Sequence, residues 1–423
     1  MPHIAAWIPV PPGSDFTIYN LPYGAFVRGG DTHLGIAIGT QILDLHAFAQ
    51  AGFADGICDR DVLTAPRLNP LLAQGRSVWK KLRLHVAALL RDDDRGDDAL
   101  RSRPDRDRFF VPMLGARMVV PMDIGDYVDF YSSLHHATNL GKLFRPNDEP
   151  LLPNWRHLPI AYHGRASTIV VDGTPVIRPH GQRKPSGADV PVFGATQRLD
   201  IELEVGFVTG PGNAPGEPIP VAQARDHIFG LVLVNDWSAR DIQAWEYQPL
   251  GPFLGKSFAT TISPWIVTLD ALEPFRTAGP PQEPKPTGYL LSNERSAYDI
   301  ELAVDLSSEK MRAKGTEPLT ISRTNFKEMY WNVLQQLAHV TVNGTQIRPG
   351  DLYASGTISG ATPQSRGSLI ELTWNATQPL HLPGGELRGF LQDGDEITLR
   401  GWCEQGEFRI GFGQARGTIV PAR

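Results

Sequence analysis

The sequence predicts a mostly β protein of the α+β class, a small leading module followed by a larger β-rich sandwich or roll, and three observations carry that prediction. Short apolar runs, alternating or continuous, recur along the chain between Pro, Gly, Asn and Asp punctuation. Glycine and proline number 42 and 36 of 423 residues without a fixed period, while 41% hydrophobic residues supply a core, which excludes collagen and wholesale disorder. A densely charged run, 91–107, interrupts the chain after the one convincing helix of the first hundred residues. With about 150 residues as a one-domain prior, the length suits two domains. We place the boundary near residue 115, giving domains 1–115 and 116–423.

In the leading module, 25–28 and 34–38 read as strands. From Ser77 as N-cap, Trp79, Leu82, Val86 and Leu89 recur at spacings of three and four and line one face of a core-facing helix. The run Asp92-Asp93-Asp94-Arg95-Gly96-Asp97-Asp98, with Pro104 beyond it, reads as a solvated linker. After residue 115, strands are predicted at 168–171, 199–208, 228–234, 265–269, 338–342, 369–374 and 397–399. Asn343-Gly344 reads as a turn, and Gln392-Asp393-Gly394-Asp395 as a hairpin turn. The clearest helix of this part is predicted at 323–337.

Composition removes several function classes. A net charge of −6 and a pI near 6.1 leave no basic excess to neutralise phosphates, so nucleic acid and anionic membrane are poor partners. Cys58 and Cys403 are too few and too distant for a disulfide framework or a cysteine zinc site, and a reducing compartment fits. The stretch Met1 to Trp7 has no basic flank before an apolar core, and the longest apolar runs fall far short of the roughly 20 residues of a membrane helix. The expectation is a cytoplasmic protein without a signal peptide. Gly251-Pro252-Phe253-Leu254-Gly255-Lys256-Ser257 has one residue too few between its glycines for a phosphate loop, and Gly356-Thr357-Ile358-Ser359-Gly360 misplaces the serine for a nucleophile elbow. No Gly-x-Gly-x-x-Gly follows a strand into a helix.

Three constellations remain. Alternation along 199–207 puts Leu199, Ile201, Leu203, Val205 and Phe207 on one face and Asp200, Glu202 and Glu204 on the other. That row is either a solvated acidic face or an oxygen-only site for a hard cation such as calcium or magnesium. The apolar run 229–234 closes on Asp236, which either caps the following helix or joins the site. On a helix, Asp236, Arg240, Gln243 and Tyr247 would share one stripe, with Arg240 suited to an anionic ligand. Third, Asp129 and Tyr131 share a face if extended, ahead of adjacent His135 and His136, of which one is expected to be structural and the other to suit a general base.

Long strings carry a resemblance: Asp129-Phe130-Tyr131-Ser132-Ser133, His136-Ala137-Thr138-Asn139, Ala161-Tyr162-His163-Gly164-Arg165, Asn235-Asp236-Trp237-Ser238-Ala239-Arg240-Asp241, Leu254-Gly255-Lys256-Ser257-Phe258 and Ala354-Ser355-Gly356-Thr357-Ile358-Ser359-Gly360. In this order, over nearly the whole chain, they resemble the fumarylacetoacetate hydrolase family. The resemblance implies a small SH3-like β-barrel before a β-roll, mixed β-sandwich catalytic domain. It implies calcium ligands at Asp129, Glu202, Glu204 and Asp236, and His136 as base oriented by Glu371. It implies Arg240, Gln243 and Lys256 as stabilisers of developing negative charge, and substrate contacts at Tyr131, Arg145, Gln243, Tyr247 and Thr357. A second, magnesium position is implied at Asp236, Thr260 and the backbone carbonyl of Lys256. Ala259 stands where the family's glycine is expected, and would strain the loop if its φ is positive. Leu134-His135 replaces the Arg-Gln pair of animal members.

The implied reaction is metal-dependent hydrolysis of the carbon–carbon bond of a β-diketo acid, 4-fumarylacetoacetate, to fumarate and acetoacetate in tyrosine and phenylalanine breakdown, by a homodimer. The alternatives are a magnesium-dependent acylpyruvate hydrolase or oxaloacetate decarboxylase of the same superfamily and, outside enzymes, a catalytically silent sugar- or metal-binding β-module.

Overall fold

A computed structural model describes residues 4–292, 295–406 and 408–423. Residues 1–3, part of the stretch read as lacking a signal, lie outside the described residues.

The leading module begins with strands Tyr23–Arg28 and Asp31–Ile38. Gly29 and Gly30 join them at φ +64° and +101°. Positive φ at both central positions gives a turn whose twist matches the strands, and glycine adopts it without steric cost. With Gln41–Asp44, Phe110–Pro112 and Met118–Val119 these strands build a five-stranded antiparallel half-barrel. Met118–Val119 follows the expected boundary at residue 115, so this sheet is complete only after residue 119. The amphipathic helix spans Arg76–Leu90 and buries Trp79, Leu82, Val86 and Leu89, as the spacing predicts. Its N-cap is Gly75, which corrects the assignment of Ser77: the serine lies inside the first turn. The run 91–107 is mostly exposed and carries ion pairs Arg91–Asp93, Arg101–Asp92 and Arg103–Asp105.

The larger module is built on an eight-stranded mixed sheet. Its spatial order is Ala161–His163, Tyr127–Phe130, Leu352–Ala354, Leu203–Thr209, Ile228–Asp236, Thr260–Ile262 and Ile169–Val171, with Val267–Thr268 also paired to Ile228–Asp236. Both faces are covered, which is why Ile228–Asp236 reads as a continuous apolar run. On one face Val208, Val232, Val234, Ile262 and Leu352 pack with the leading module's Leu34, Ile36, Leu82 and Val86. On the other, Leu203, Val205, Phe207, Leu231 and Leu233 meet Leu302, Val304, Ile397, Leu399 and Phe412 of a second, five-stranded sheet. Phe229 ties the modules together, its ring edge-on to Trp79 and Tyr23 at centroid distances of 5.0 and 5.3 Å. Among the described residues no helix is long and apolar enough to cross a membrane.

Four sequence expectations are corrected. The predicted strand 338–342 is the end of helix Val333–Thr341, which a capping box of Asn332 and Gln335 starts; its β-branched tail of Val340, Thr341 and Val342 mimics a strand. The predicted helix 323–337 is instead the strand Leu319–Asn325, a 3-10 turn and the first half of that helix. The predicted strand 369–374 is a single helical turn, Leu369–Leu372. The 392–395 turn closes no hairpin, because Leu387–Arg388 pairs with Leu380–His381 while Glu396–Gln405 pairs with Glu301–Ser307 and Phe408–Val420.

Candidate active site

The eight-stranded sheet gathers the acids at one end of its strands. Asp129 sits near the end of Tyr127–Phe130, Glu204 near the start of Leu203–Thr209 and Asp236 at the end of Ile228–Asp236, with Glu202 in the break between Leu199–Asp200 and Leu203–Thr209. The register brings Gly206 and Asp129 opposite the same Ala354, and Glu204 opposite Val234. One carboxylate oxygen from each of Asp129, Glu202, Glu204 and Asp236 lies within 4.8 Å of the others, and all four residues are buried. Burial excludes the solvated-face reading of the 199–207 alternation.

Some of these oxygens have partners within the chain. Lys256 Nζ donates to Glu202 Oε2 and, at 2.8 Å, to Asp236 Oδ2. Arg240 Nη1 reaches Glu202 Oε1 at 2.9 Å, and the Gly356 amide donates to Glu204 Oε2 at 3.0 Å. Thr260 Oγ1 and the Tyr162 hydroxyl each donate to Asp236 at 2.9 Å. Asp129 Oδ1 and Glu204 Oε1 are buried without a partner. Burial first, and then the neighbouring carboxylates, push Asp129 and Glu204 well above the usual carboxylate range. Glu202 is held below it, because Lys256 and Arg240 outweigh the effect of burial. The chain's own cations thus serve Glu202 and Asp236 and leave two oxygens orphaned on the other two acids. A buried unpaired carboxylate is costly, and an all-oxygen set of this kind fits a hard divalent ion. The cluster can therefore hold a metal.

Beside it, His136 lies in the first turn of helix Leu134–Phe144, whose N-cap Ser133 accepts the His136 amide. The imidazole is buried, its Nδ1 2.6 Å from Glu371 Oε2. Glu371 is also buried and accepts from Asn139 Nδ2 at 2.8 Å, Ser368 Oγ at 2.6 Å and Ser359 Oγ at 3.0 Å. Burial alone would raise its pKa, but the His136 charge and these donors bring it down to about 2. An ionised Glu371 therefore fixes one face of His136. His135, its neighbour, is only half-buried.

Helix Arg240–Glu246 presents Arg240 and Gln243, whose Oε1 accepts from Arg240 Nη1 at 3.1 Å. The four-residue stripe needs correction: Asp236 ends a strand and a two-residue strand, Ser238–Ala239, precedes the helix, so Asp236 joins the site through the sheet. Tyr247 lies at the helix end, 43% exposed, its hydroxyl accepting from Gln248. The Tyr131 ring packs edge-on against His136 at 5.3 Å, and Thr357 Oγ1 is buried without a partner. Arg145 closes the Leu134–Phe144 helix, donates to the Pro150 carbonyl at 2.8 Å and lines an open cleft of about 680 Å³. Ala259 does not have positive φ, so the expected loop strain is absent. The residues that sequence reasoning missed are Tyr162, Asn139, Ser359 and Ser368. Tyr162, Asn139 and Ser359 lie inside the quoted strings, but only the fold aims them at Asp236 and Glu371.

Known proteins match the chain over nearly its whole length. The family model described as Fumarylacetoacetase N-terminal matches residues 19–121, and Fumarylacetoacetate (FAA) hydrolase C-terminal matches 127–420. The chain is 50% identical to the fumarylacetoacetase of Homo sapiens over 424 residues, covering 99% of each, and 50% identical to that of Arabidopsis thaliana over 426 residues with the same coverage. In fold alone it resembles a fumarylacetoacetate hydrolase from psychrophilic Exiguobacterium antarcticum, with TM-score 0.53, 18% identity, and 95% and 99% of the two chains covered.

Proposed function

Because the chain belongs to the fumarylacetoacetate hydrolase family, we infer that it hydrolyses the carbon–carbon bond of 4-fumarylacetoacetate to fumarate and acetoacetate. The observation that carries the reading is the buried His136–Glu371 pair set beside four convergent carboxylates. With Nδ1 committed to ionised Glu371, the His136 Nε2 lone pair is the one left to take a proton from water. The water oxygen attacks the ketone carbon of the fumaryl group, whose bond to the methylene carbon then breaks with its electron pair leaving as the acetoacetate enolate. His136 then returns its proton to that carbon. Lys256 and Arg240 converge on Glu202, and Gln243 accepts from Arg240; their positive and polar groups oppose the negative charge that develops on the leaving side. Tyr131, Thr357, Arg145 and Tyr247 are proposed to hold the substrate, with Arg145 suited to a carboxylate.

We propose calcium as the ion of Asp129, Glu202, Glu204 and Asp236; when bound it supplies Lewis-acid polarisation of the diketone oxygens. A second, magnesium position is proposed at Asp236, Thr260 and the Lys256 carbonyl, which the Thr260–Asp236 contact supports. A cytoplasmic homodimer is proposed on the family alone. The test is His136→Ala: it should keep its melting temperature and divalent-ion affinity while losing most turnover of fumarylacetoacetate, followed by loss of ultraviolet absorbance. Near-normal kcat in that variant, or faster turnover of an acylpyruvate by the wild type, would overturn the reading.

A further inference from the structure

Of the acids on the 199–207 segment, Asp200 stays out of the cluster. It is fully buried, and its two oxygens accept four hydrogen bonds. Oδ1 takes the amides of Ile201 and Leu369, both at 2.7 Å; Oδ2 takes the Ile370 amide at 3.1 Å and Arg240 Nε at 2.8 Å. Leu369 and Ile370 open the single helical turn that carries Glu371. That turn has no local side-chain cap, because the hydroxyl of its N-cap Ser368 is spent on Glu371 Oε2. The free amides of the first turn are instead satisfied from a strand 169 positions away in sequence. On its other side the same carboxylate fixes Arg240 by Nε, which leaves Nη1 on Glu202 and Gln243, and Nη2 buried without a partner.

We propose that Asp200 is a positioning residue for the hydrolysis: one carboxylate that holds the Glu371 turn against His136 and, at the same time, sets the Arg240 guanidinium toward the developing negative charge. The proposal rests on the reading of the preceding subsection. Its chemistry demands a carboxylate. All four partners are donors, and an amide of the same shape offers only one acceptor oxygen and turns an NH₂ toward at least one of them. Asp200 touches no reacting atom, so its effect runs through Glu371 and Arg240.

The experiment is a set of double-mutant cycles in kcat with 4-fumarylacetoacetate and saturating Ca²⁺. Asp200→Asn is expected to lower kcat by about 30- to 100-fold, the scale of a lost charge-assisted contact, with KM within threefold and Ca²⁺ affinity by calorimetry unchanged. Combined with Glu371→Gln, or with Arg240→Lys, it should cost far less than the product of the single effects, since both act through one arrangement. Asp200→Glu, which restores the acceptors on a longer arm, should recover part of the loss and serves in the same cycles if Asp200→Asn does not fold. A folded Asp200→Asn with kcat within threefold of wild type, multiplicative cycles, or no recovery by Asp200→Glu overturns the proposal while leaving the reaction intact. A wild-type protein that does not cleave fumarylacetoacetate overturns the functional reading itself.

Discussion

Replacing Glu371 by glutamine removes one charge and nearly preserves shape. The carboxylate faces donors only: His136 Nδ1 and Ser368 Oγ on Oε2, Asn139 Nδ2 on Oε1, and Ser359 Oγ on both. A glutamine has one acceptor oxygen, so its NH₂ must face one of these sets. Asn139 can answer by rotating its own amide to present oxygen, which lets the new oxygen stay toward His136 and keeps Nδ1–H as the donor. The positional cost is then small, and the loss is the negative charge opposite the imidazolium that forms when His136 accepts a proton. A charge-assisted hydrogen bond is worth about 1.5–3 kcal/mol, and at 1.36 kcal/mol per tenfold this is about a 10- to 150-fold fall in kcat. KM should hold within about threefold, because an interaction strengthened only after proton transfer leaves ground-state binding alone. Steady-state loss of ultraviolet absorbance from fumarylacetoacetate measures both. An unchanged kcat at unchanged melting temperature, or a change confined to KM, would refute the assignment of Glu371 as the group that holds His136.

The same carboxyl, lowered from 4.5 to about 2, stabilises the fold fully above about pH 4.5 and loses that contribution as pH falls toward 2. Thermal melts should show wild type destabilised more steeply than Glu371→Gln across that window, and parallel curves would count against the pairing. Glu204→Gln should lower Ca²⁺ affinity by at least about tenfold in calorimetry. Because burial and like charge raise the Glu204 pKa, the ionised residue destabilises the metal-free fold at neutral pH. Hence Glu204→Gln should melt higher than wild type in chelator and gain less from added Ca²⁺. Gly356→Ala should cost about 1–3 kcal/mol or more by thermal melt: its φ is +77°, and a Cβ would sit 2.1 Å from the Phe130 carbonyl oxygen. A melting temperature equal to wild type would show that this loop is free to move.

What could be read from the chain alone follows the range of the interactions involved. Alternation is a local property of a strand, so the polar side of Glu202 and Glu204 was legible, as were the buried face of Arg76–Leu90 and the doubly covered strand Ile228–Asp236; the break of the predicted strand at 201–202, which leaves Asp200 outside the cluster, was not. The Asn332–Gln335 capping box was also local, and attention to it would have kept 338–342 from reading as a strand. The turn at Leu369–Leu372 is different. Four residues are too few to show a helical period, and two of its amides are capped by Asp200, far away in sequence.

The same limit explains why one alternating row is divided only by its remote partners. Asp200, Glu202 and Glu204 are equivalent by period, and no local rule separates them. Remote partners do: Leu369, Ile370 and Arg240 occupy Asp200, Lys256 and Arg240 occupy Glu202, and Glu204 has only the Gly356 amide on one oxygen. Charge compensation is therefore uneven along the row: Glu202 faces two cations, Asp200 one cation and three amides, and Glu204 no cation and one orphaned oxygen. These partners set Asp200, saturated with donors, apart from Glu202 and Glu204, whose oxygens converge with those of Asp129 and Asp236. Part of the net −6 therefore lies in the interior, where burial and then the neighbouring carboxylates push both Asp129 and Glu204 above the usual carboxylate range.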